Sequence, residues 1–323
     1  MSAAGAGWLL GGVAGRAQAQ GPNPYVQKLG YPADARLLVV RADDVGVCHS
    51  INMATFAALE NKSVNLATVE VPAPWFHEVA IHASQHPEID WGLHLDLTSE
   101  WTGLRWGPVA SPDKVPSLVD AQGYLWGGMG PASNRLVRRF AQPADVEREL
   151  RAQIERALRM GVRPTEMDPH QGMLFERPEF LAVARRLAVE YGIPLMTVGR
   201  SMLTGARLQP FRGILQDEDL FFDHFFTLHR PSREVGQWKR YYDEAIRNLQ
   251  PGITLMVVHL AYNNPEFRAV CEGESDWGPE WRQADFDWVM SAETGQLLER
   301  EKIVLVPWRR VARLWPHAKN LPA

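Results

Sequence analysis

The chain has 323 residues, 46% of them hydrophobic and 22% charged, and a formal net charge of −4. That is ordinary globular composition, suited to one large α/β domain or two smaller ones with a sizeable core, and the acidic balance, with a pI near 6.2, argues against a dedicated nucleic-acid binder. No run of about 18 apolar residues occurs, so no membrane span is expected.

Residues 1–19 are small and apolar, with Trp8-Leu9-Leu10 in the middle and Ala17-Gln18-Ala19 as a small-x-small cleavage pattern. They are expected to be a signal peptide for export to the periplasm or beyond, although no Lys or Arg precedes the apolar part. A cytoplasmic protein with a plain Ala/Gly tail is the alternative. Residues 20–35 follow as a flexible lead-in.

Leu37-Leu38-Val39-Val40 reads as a buried strand, and it delivers Arg41-Ala42-Asp43-Asp44 to its C-terminal end. Adjacent strand residues point to opposite faces, and neighbouring carboxylates repel unless a cation sits beside them. A divalent metal, with one Asp as ligand and the other as base, accounts for the pair; a strand-end turn running on to Gly46 is the plainer alternative. A helix is expected over 50–60, with Ile51, Ala54, Phe56 and Leu59 on its buried face. A strand over 65–69, a helix over 74–85 and a strand over 90–95 come next. Residues 98–142 contain Gly, Pro and Trp without a sustained period and read as an insertion loop or lid.

Beyond it lie a helix over 143–160 stopped by Gly161, a strand over 165–167, a helix over 179–191 ended by Gly192 and a strand over 193–198. A helix over 241–249 and strands over 252–258 and 303–306 complete the pattern. Strands alternating with helices, without internal repeats, point to one distorted (β/α) barrel-like domain of about seven strands over residues 36–316, with a tail at 317–323.

In such barrels, functional side chains gather at the C-terminal ends of strands. The strand ends here yield Asp43-Asp44, then His94 in Gly92-Leu93-His94-Leu95-Asp96, then Asp168 and His170 in Glu166-Met167-Asp168-Pro169-His170, then His259 after Val257-Val258. One buried histidine alone is most simply a core residue with its hydrogen bonds met. Four strand ends converging on Asp and His are not so easily dismissed. One carboxylate and two imidazoles make an open site for a divalent ion, with positions left for water and substrate. Asp168 suits a place behind an imidazole ligand, accepting its other N–H, with a turn before Pro169 as the equal alternative. Asp96 has the same ambiguity and is left outside the site. Trp101, Trp106 and Trp126 offer faces for a sugar ring, or pin the insertion to the barrel; Trp277 and Trp281 suggest a second rim. Cys48 and Cys271 are the only cysteines, and either pair as one disulfide or leave Cys48 as a buried thiol.

Arg41-Ala42-Asp43-Asp44-Val45-Gly46, Gly92-Leu93-His94-Leu95 and Asp168-Pro169-His170-Gln171, in this order, resemble the motifs of the YdjC-like carbohydrate deacetylases, a family similar in fold to polysaccharide deacetylases. The resemblance runs from about residue 36 to about residue 307. It implies one divalent ion, Mg2+ or Zn2+, on Asp44, His94 and His170, with Asp43 as catalytic base and His259 as proton donor or substrate contact. It also implies an N-acetylated carbohydrate as the substrate, and leaves a homodimer open. The chain departs from the family in two places. Gln171-Gly172-Met173-Leu174 stands where a His-rich stretch is usual. Arg41 adds a cation beside the two acids, as a substrate contact or as a plain salt bridge, the latter being preferred.

The chemistry fits the residues: amide hydrolysis needs an activated water, stabilisation of the oxyanion and a proton for the leaving amine. A metal-dependent deacetylase of an N-acetylated sugar is therefore expected. A hydrolase of another amide or ester, and a non-catalytic sugar-binding protein on the same scaffold, are the alternatives.

Overall fold

The structure is a computed structural model describing residues 23–128, 131–196, 206–211, 213–219, 221–227, 235–272, 277–319 and 321–322. The expected signal segment, 1–19, lies outside them.

A short helix, α1 (Pro24–Lys28), opens the described chain, capped by Asn23, whose side chain accepts from the Tyr25 N–H. Tyr25 and Val26 are buried, and Asn23 Nδ2 donates to the Phe221 carbonyl at 2.9 Å. Residues 23–28 are therefore part of the packed body and correct the expectation of a flexible lead-in. An apolar pair one turn wide gave too little periodicity to announce this helix.

The core elements then alternate: β1 (Arg36–Val45), α2 (His49–Glu60), β2 (Leu66–Glu70), α3 (Phe76–Gln85) and β3 (Trp91–Leu95). The segment read as a loop carries two short strands, β4 (Thr98–Ser99) and β5 (Trp126–Gly127), paired with each other, and the helix α4 (Pro131–Phe140). After it come α5 (Pro143–Arg159), β6 (Pro164–Pro169), a 3-10 segment His170–Phe175, and α6 (Pro178–Tyr191). The chain continues through β7 (His224–Thr227), α7 (Trp238–Arg247), β8 (Gly252–Val258), α8 (Pro265–Val270), α9 (Pro279–Met290), α10 (Ala292–Arg300), β9 (Val304–Leu305) and α11 (Trp308–Ala312).

The main sheet has seven strands, in the order β6-β3-β2-β1-β8-β7, with β9 also on β1, and every pairing is parallel. Parallel strands covered by helices are buried on both faces and so read as unbroken apolar runs; Leu37–Val40 and Leu255–Val258 are such runs, and all are buried. With its crossover helices, the sheet forms the expected distorted barrel-like α/β fold. The strand expected over 193–198 is reduced to one bridge, Leu195 to Met167, and residues 197–198 lie outside the described set. Strand β7 was not foreseen at all. The cysteines are both buried and are not joined to each other, so the disulfide alternative is set aside; burial pushes the Cys48 thiol up to about 12, as for an inert core residue.

All strands point the same way, so one edge of the sheet collects every C-terminal end. Asp43 and Asp44 stand just before the last residue of β1, Glu70 is the last residue of β2, His94 the penultimate residue of β3, His170 follows β6 and His259 follows β8.

Candidate metal centre and active site

The backbone at the end of β1 turns sharply. Asp44 takes a left-handed conformation, φ 65°, unusual for a residue with a side chain, and Gly46 follows at φ 107°. A Cβ on Gly46 would meet the Glu70 carbonyl at 3.1 Å, so glycine there serves both the turn and the close approach of β2. Strained carboxylate-bearing turns of this kind are found where a site dictates side-chain direction.

Asp44, Glu70, His94 and His170 converge with ligand-capable atoms all within 4.8 Å of one another. All four are buried. Each imidazole is gripped on one nitrogen and turned toward Asp44 with the other. His94 has Nδ1 at 2.8 Å from Asp168 Oδ1 and Nε2 at 3.5 Å from Asp44 Oδ1. His170 has Nε2 at 2.9 Å from Glu100 Oε2 and Nδ1 at 3.7 Å from Asp44 Oδ1. A carboxylate behind each ring fixes its orientation and raises its basicity as a ligand.

Asp43 faces a different set. Arg41 donates to both of its oxygens, from Nε at 2.6 Å and from Nη2 at 2.8 Å, and Thr68 Oγ1 donates at 2.9 Å. The same guanidinium reaches Asp168 Oδ2 at 2.6 Å and Met196 Sδ at 3.0 Å. Arg41 is only 4% exposed. It is the buried salt bridge, and its reading as a substrate contact is corrected: no part of the guanidinium is left to reach outward.

Charge within the cluster divides by neighbour. Burial would raise Asp43, but Arg41 reverses it and holds the carboxyl below the usual range. For Asp44, burial is likewise overcome, by Arg282 and His259, and the carboxyl lies well below the ordinary value. Glu70 and Asp96 go the other way: burial, with the charges of Asp96 or of Glu100 and Asp44 added, lifts them well above it. Burial disfavours the imidazolium of His170, yet Glu100 and Glu70 raise it to about 9. His259, by contrast, is lowered to about 4 by burial, and at neutral pH is an uncharged ring.

Both carboxylate oxygens of Glu70, both of Asp96 and Nδ1 of His170 are buried without a hydrogen-bond partner. Orphaned buried polar atoms are costly and rare. One cation among them would satisfy most at once, and two carboxylates with two imidazoles is a donor set for a first-row divalent ion. The residues fit a metal.

Asp43, Asp44, His94, Asp168 and His170 thus come together as the sequence suggested, and His259 adjoins them, its ring set edge-on against Trp277 at 4.5 Å. The tryptophans do not behave as expected. Trp101 is fully buried, with the Arg282 guanidinium over its ring at 5.1 Å and Phe267 at its edge. Trp106 is buried as well. Their assignment as sugar platforms is corrected: they pin the insertion, because an apolar ring in a Gly- and Pro-rich segment gains most by entering the core. Trp126 keeps partial exposure, stacked on Phe140 at 5.5 Å.

Glu70, Glu100 and Arg282 escaped the sequence. Glu70 lay one residue past the strand expected over 65–69, and extending the strand-end rule by that residue would have found it. Arg282, on α9, donates from Nη2 to Asp44 Oδ2 at 2.7 Å across 238 residues of chain; no local pattern signals that. Gln171 and Gly172, standing where histidines are usual in the resembling family, adopt consecutive left-handed conformations, φ 49° and 68°, and form a kink directly after His170.

The YdjC-like protein family matches residues 37–300. The chain belongs to that family. Among its relatives, a carbohydrate deacetylase from Thermus thermophilus is 32% identical over 262 residues, covering 78% of this chain and 85% of the relative. A carbohydrate deacetylase from Geobacillus stearothermophilus is 32% identical over 191 residues, covering 59% of this chain and 68% of the relative. The crystal structure of an Enterococcus faecalis protein, described as a cellobiose-phosphate cleavage protein, superposes with a TM-score of 0.67 at 22% identity, over 85% of this chain and 98% of that one. It shows that the YdjC-like chain has that fold.

Proposed function

We propose that this YdjC-like protein is a carbohydrate deacetylase that hydrolyses the acetamide of an N-acetylated sugar with the help of a divalent ion. The observation that carries the reading is the pair of imidazoles, each backed by a carboxylate and turned toward Asp44 in a family whose curated relatives are named carbohydrate deacetylases. Asp44, His94 and His170 would hold the ion, with Glu70 as an additional carboxylate at the same place. When bound, such an ion polarises a carbonyl and lowers the pKa of a coordinated water.

The chain's own groups divide the remaining work. Asp43, held ionised by Arg41, accepts the proton of the attacking water. Water oxygen bonds to the acetyl carbon, the C–N bond breaks, and the departing nitrogen takes up a proton, giving acetate and a free amino sugar. His259 is neutral at rest, so it can deliver that proton only after first receiving one; its place is late in the cycle. Asp168 and Glu100 keep the two imidazoles oriented.

Metal analysis of the purified protein, coupled to acetate release from a panel of N-acetylated mono- and oligosaccharides, tests the reading. One divalent ion lost on His170→Ala, with acetate released by the wild type, is the expected result. A metal-loaded protein that releases acetate from simple aryl esters but from no N-acetyl sugar would instead support the broader ester or amide hydrolase.

A further inference from the structure

Away from the strand ends, α2 and α3 bring together a second group of ligating side chains. Glu60 closes α2, His82 lies in the last turn of α3, and His86 is the residue that caps it. Their ligand-capable atoms lie within 4.8 Å of one another. The two histidines are four residues apart, so they share one helix face, and their rings stack at 4.3 Å.

His82 is the telling residue. It is 9% exposed, its Nδ1 has no hydrogen-bond partner, and its Nε2 has only a long contact of 3.3 Å to Glu60 Oε1. Phe56 stacks on one side at 3.8 Å and the Trp91 edge closes in at 5.9 Å. A ring so enclosed, with neither nitrogen well paired, is a poor core residue and a good ligand in waiting. His86 is differently prepared: Glu88 Oε1 stands 3.2 Å from its Nδ1, a carboxylate–imidazole arrangement that leaves Nε2 as the electron-pair donor.

We infer that Glu60, His82 and His86 form a second, structural binding site for a first-row divalent cation of the zinc class, clamping the C-terminal ends of α2 and α3 together. Two imidazoles and one carboxylate suit such an ion better than Mg2+ or Ca2+, which prefer all-oxygen shells. The exposed Glu60 and the half-buried His86 can adjust toward an ion while Phe56 and Trp91 hold the His82 ring in place.

The test uses zinc alone as the probe. Chelator-stripped, dialysed protein is titrated with Zn2+ by calorimetry, in the wild type, in His86→Ala and in Glu60→Gln; both substituted residues sit at the surface side of the cluster, so folding is not at stake. His86→Ala is expected to bind one zinc equivalent fewer per chain than the wild type, Glu60→Gln to bind the same equivalent more weakly, and both to keep wild-type acetate release. Asp44→Asn removes the other equivalent and leaves this one, which separates the two sites. Equal zinc stoichiometry and affinity in wild type and His86→Ala would overturn the inference, whatever becomes of the deacetylase reading.

Discussion

Asp43 carries the sharpest expectation among single residues. Its two oxygens are taken up by Arg41 and Thr68, so it is ionised and fixed; it groups with His94 and Asp168 rather than with the four converging ligands Asp44, Glu70, His94 and His170, and Arg41 already occupies it. Asp43→Asn should therefore keep the metal and lose turnover by about 10²- to 10⁴-fold, the range for a positioned general base. Metal content and acetate release measured on one sample decide it, with a melting curve to confirm that Arg41, still paired to Asp168, keeps the fold. Normal turnover in the variant would remove Asp43 from the role of base. The residues of this site were legible in unequal degree, and the reason is physical. Asp43, Asp44 and His94 advertise themselves because each ends an apolar run that must be a strand, and His170 stands out by following Asp168-Pro169 at the end of a brief strand. Arg282 reaches the same place from a helix whose own sequence says nothing of what faces it. Trp101 and Trp106 misled because composition reports that aromatic rings are present, and only packing decides whether their faces are open.

Two features of individual elements invite measurement. Gly92 in β3 leaves room for its neighbour in β6: a Cβ there would lie 1.7 Å from Glu166 Oε1 and 2.9 Å from Thr68 Cγ2. Glu166 is buried with both oxygens unpartnered, and burial followed by the charge of Asp168 raises its carboxyl well above the usual range. Gly92→Ala should destabilise by roughly 1–3 kcal/mol, the cost of overpacking, and Glu166→Ala in the same chain should recover part of it, since contacting residues are not additive. Urea unfolding of the four members of the cycle tests this; strictly additive losses would mean that the two side chains do not compete for the space.

Asp285 in α9 ties three elements, accepting from Trp238 Nε1 at 2.7 Å, Tyr242 Oη at 2.8 Å and the His259 N–H at 2.8 Å. Burial pushes its carboxyl from 3.8 up to about 6. Between those values the folded chain keeps a proton that the unfolded chain has lost, so this group's contribution to stability falls as pH rises from about 4 to about 6 and is level above. Asp285→Asn, uncharged throughout, should lose that slope, worth roughly 2–3 kcal/mol, in denaturant midpoints compared at pH 4.5 and 6.5. An unchanged slope would show that the carboxyl does not titrate in that window. Elements with long uniform runs, β1 and β8, were plain in the sequence. Helix α1 and strand β7 were not, because four or five residues carry too little periodicity to stand out and owe their conformation to what they pack against.

At the scale of the whole molecule, the parallel sheet brings the ends of β1, β2, β3 and β6 to one place, and the proposed ion would join all four strands there. Without a cation, Glu70 and Asp96 lie buried together with the His170 ring near them, its Nδ1 at 3.3 Å from Glu70 Oε1 and 3.8 Å from Asp96 Oδ1, and their like charge is relieved by that imidazolium and by holding protons. A ligand that binds the native state alone stabilises it by about 2.7 kcal/mol at 100 times its dissociation constant. For a domain of about 280 residues this amounts to a melting shift of roughly 5 °C. Stripping the protein with a chelator should lower the melting temperature by about that much, and saturating Zn2+ or Mg2+ should restore it, more fully for whichever ion the site prefers. His94→Ala should melt at one temperature with or without chelator, once the zinc contribution of His86 is removed in the same chain. The double variant is the decisive sample: a chelator-sensitive melt in it would place the stabilising ion somewhere other than at the convergence of the strands, and the sheet would then hold its carboxylates together by the His170 imidazolium and shared protons alone.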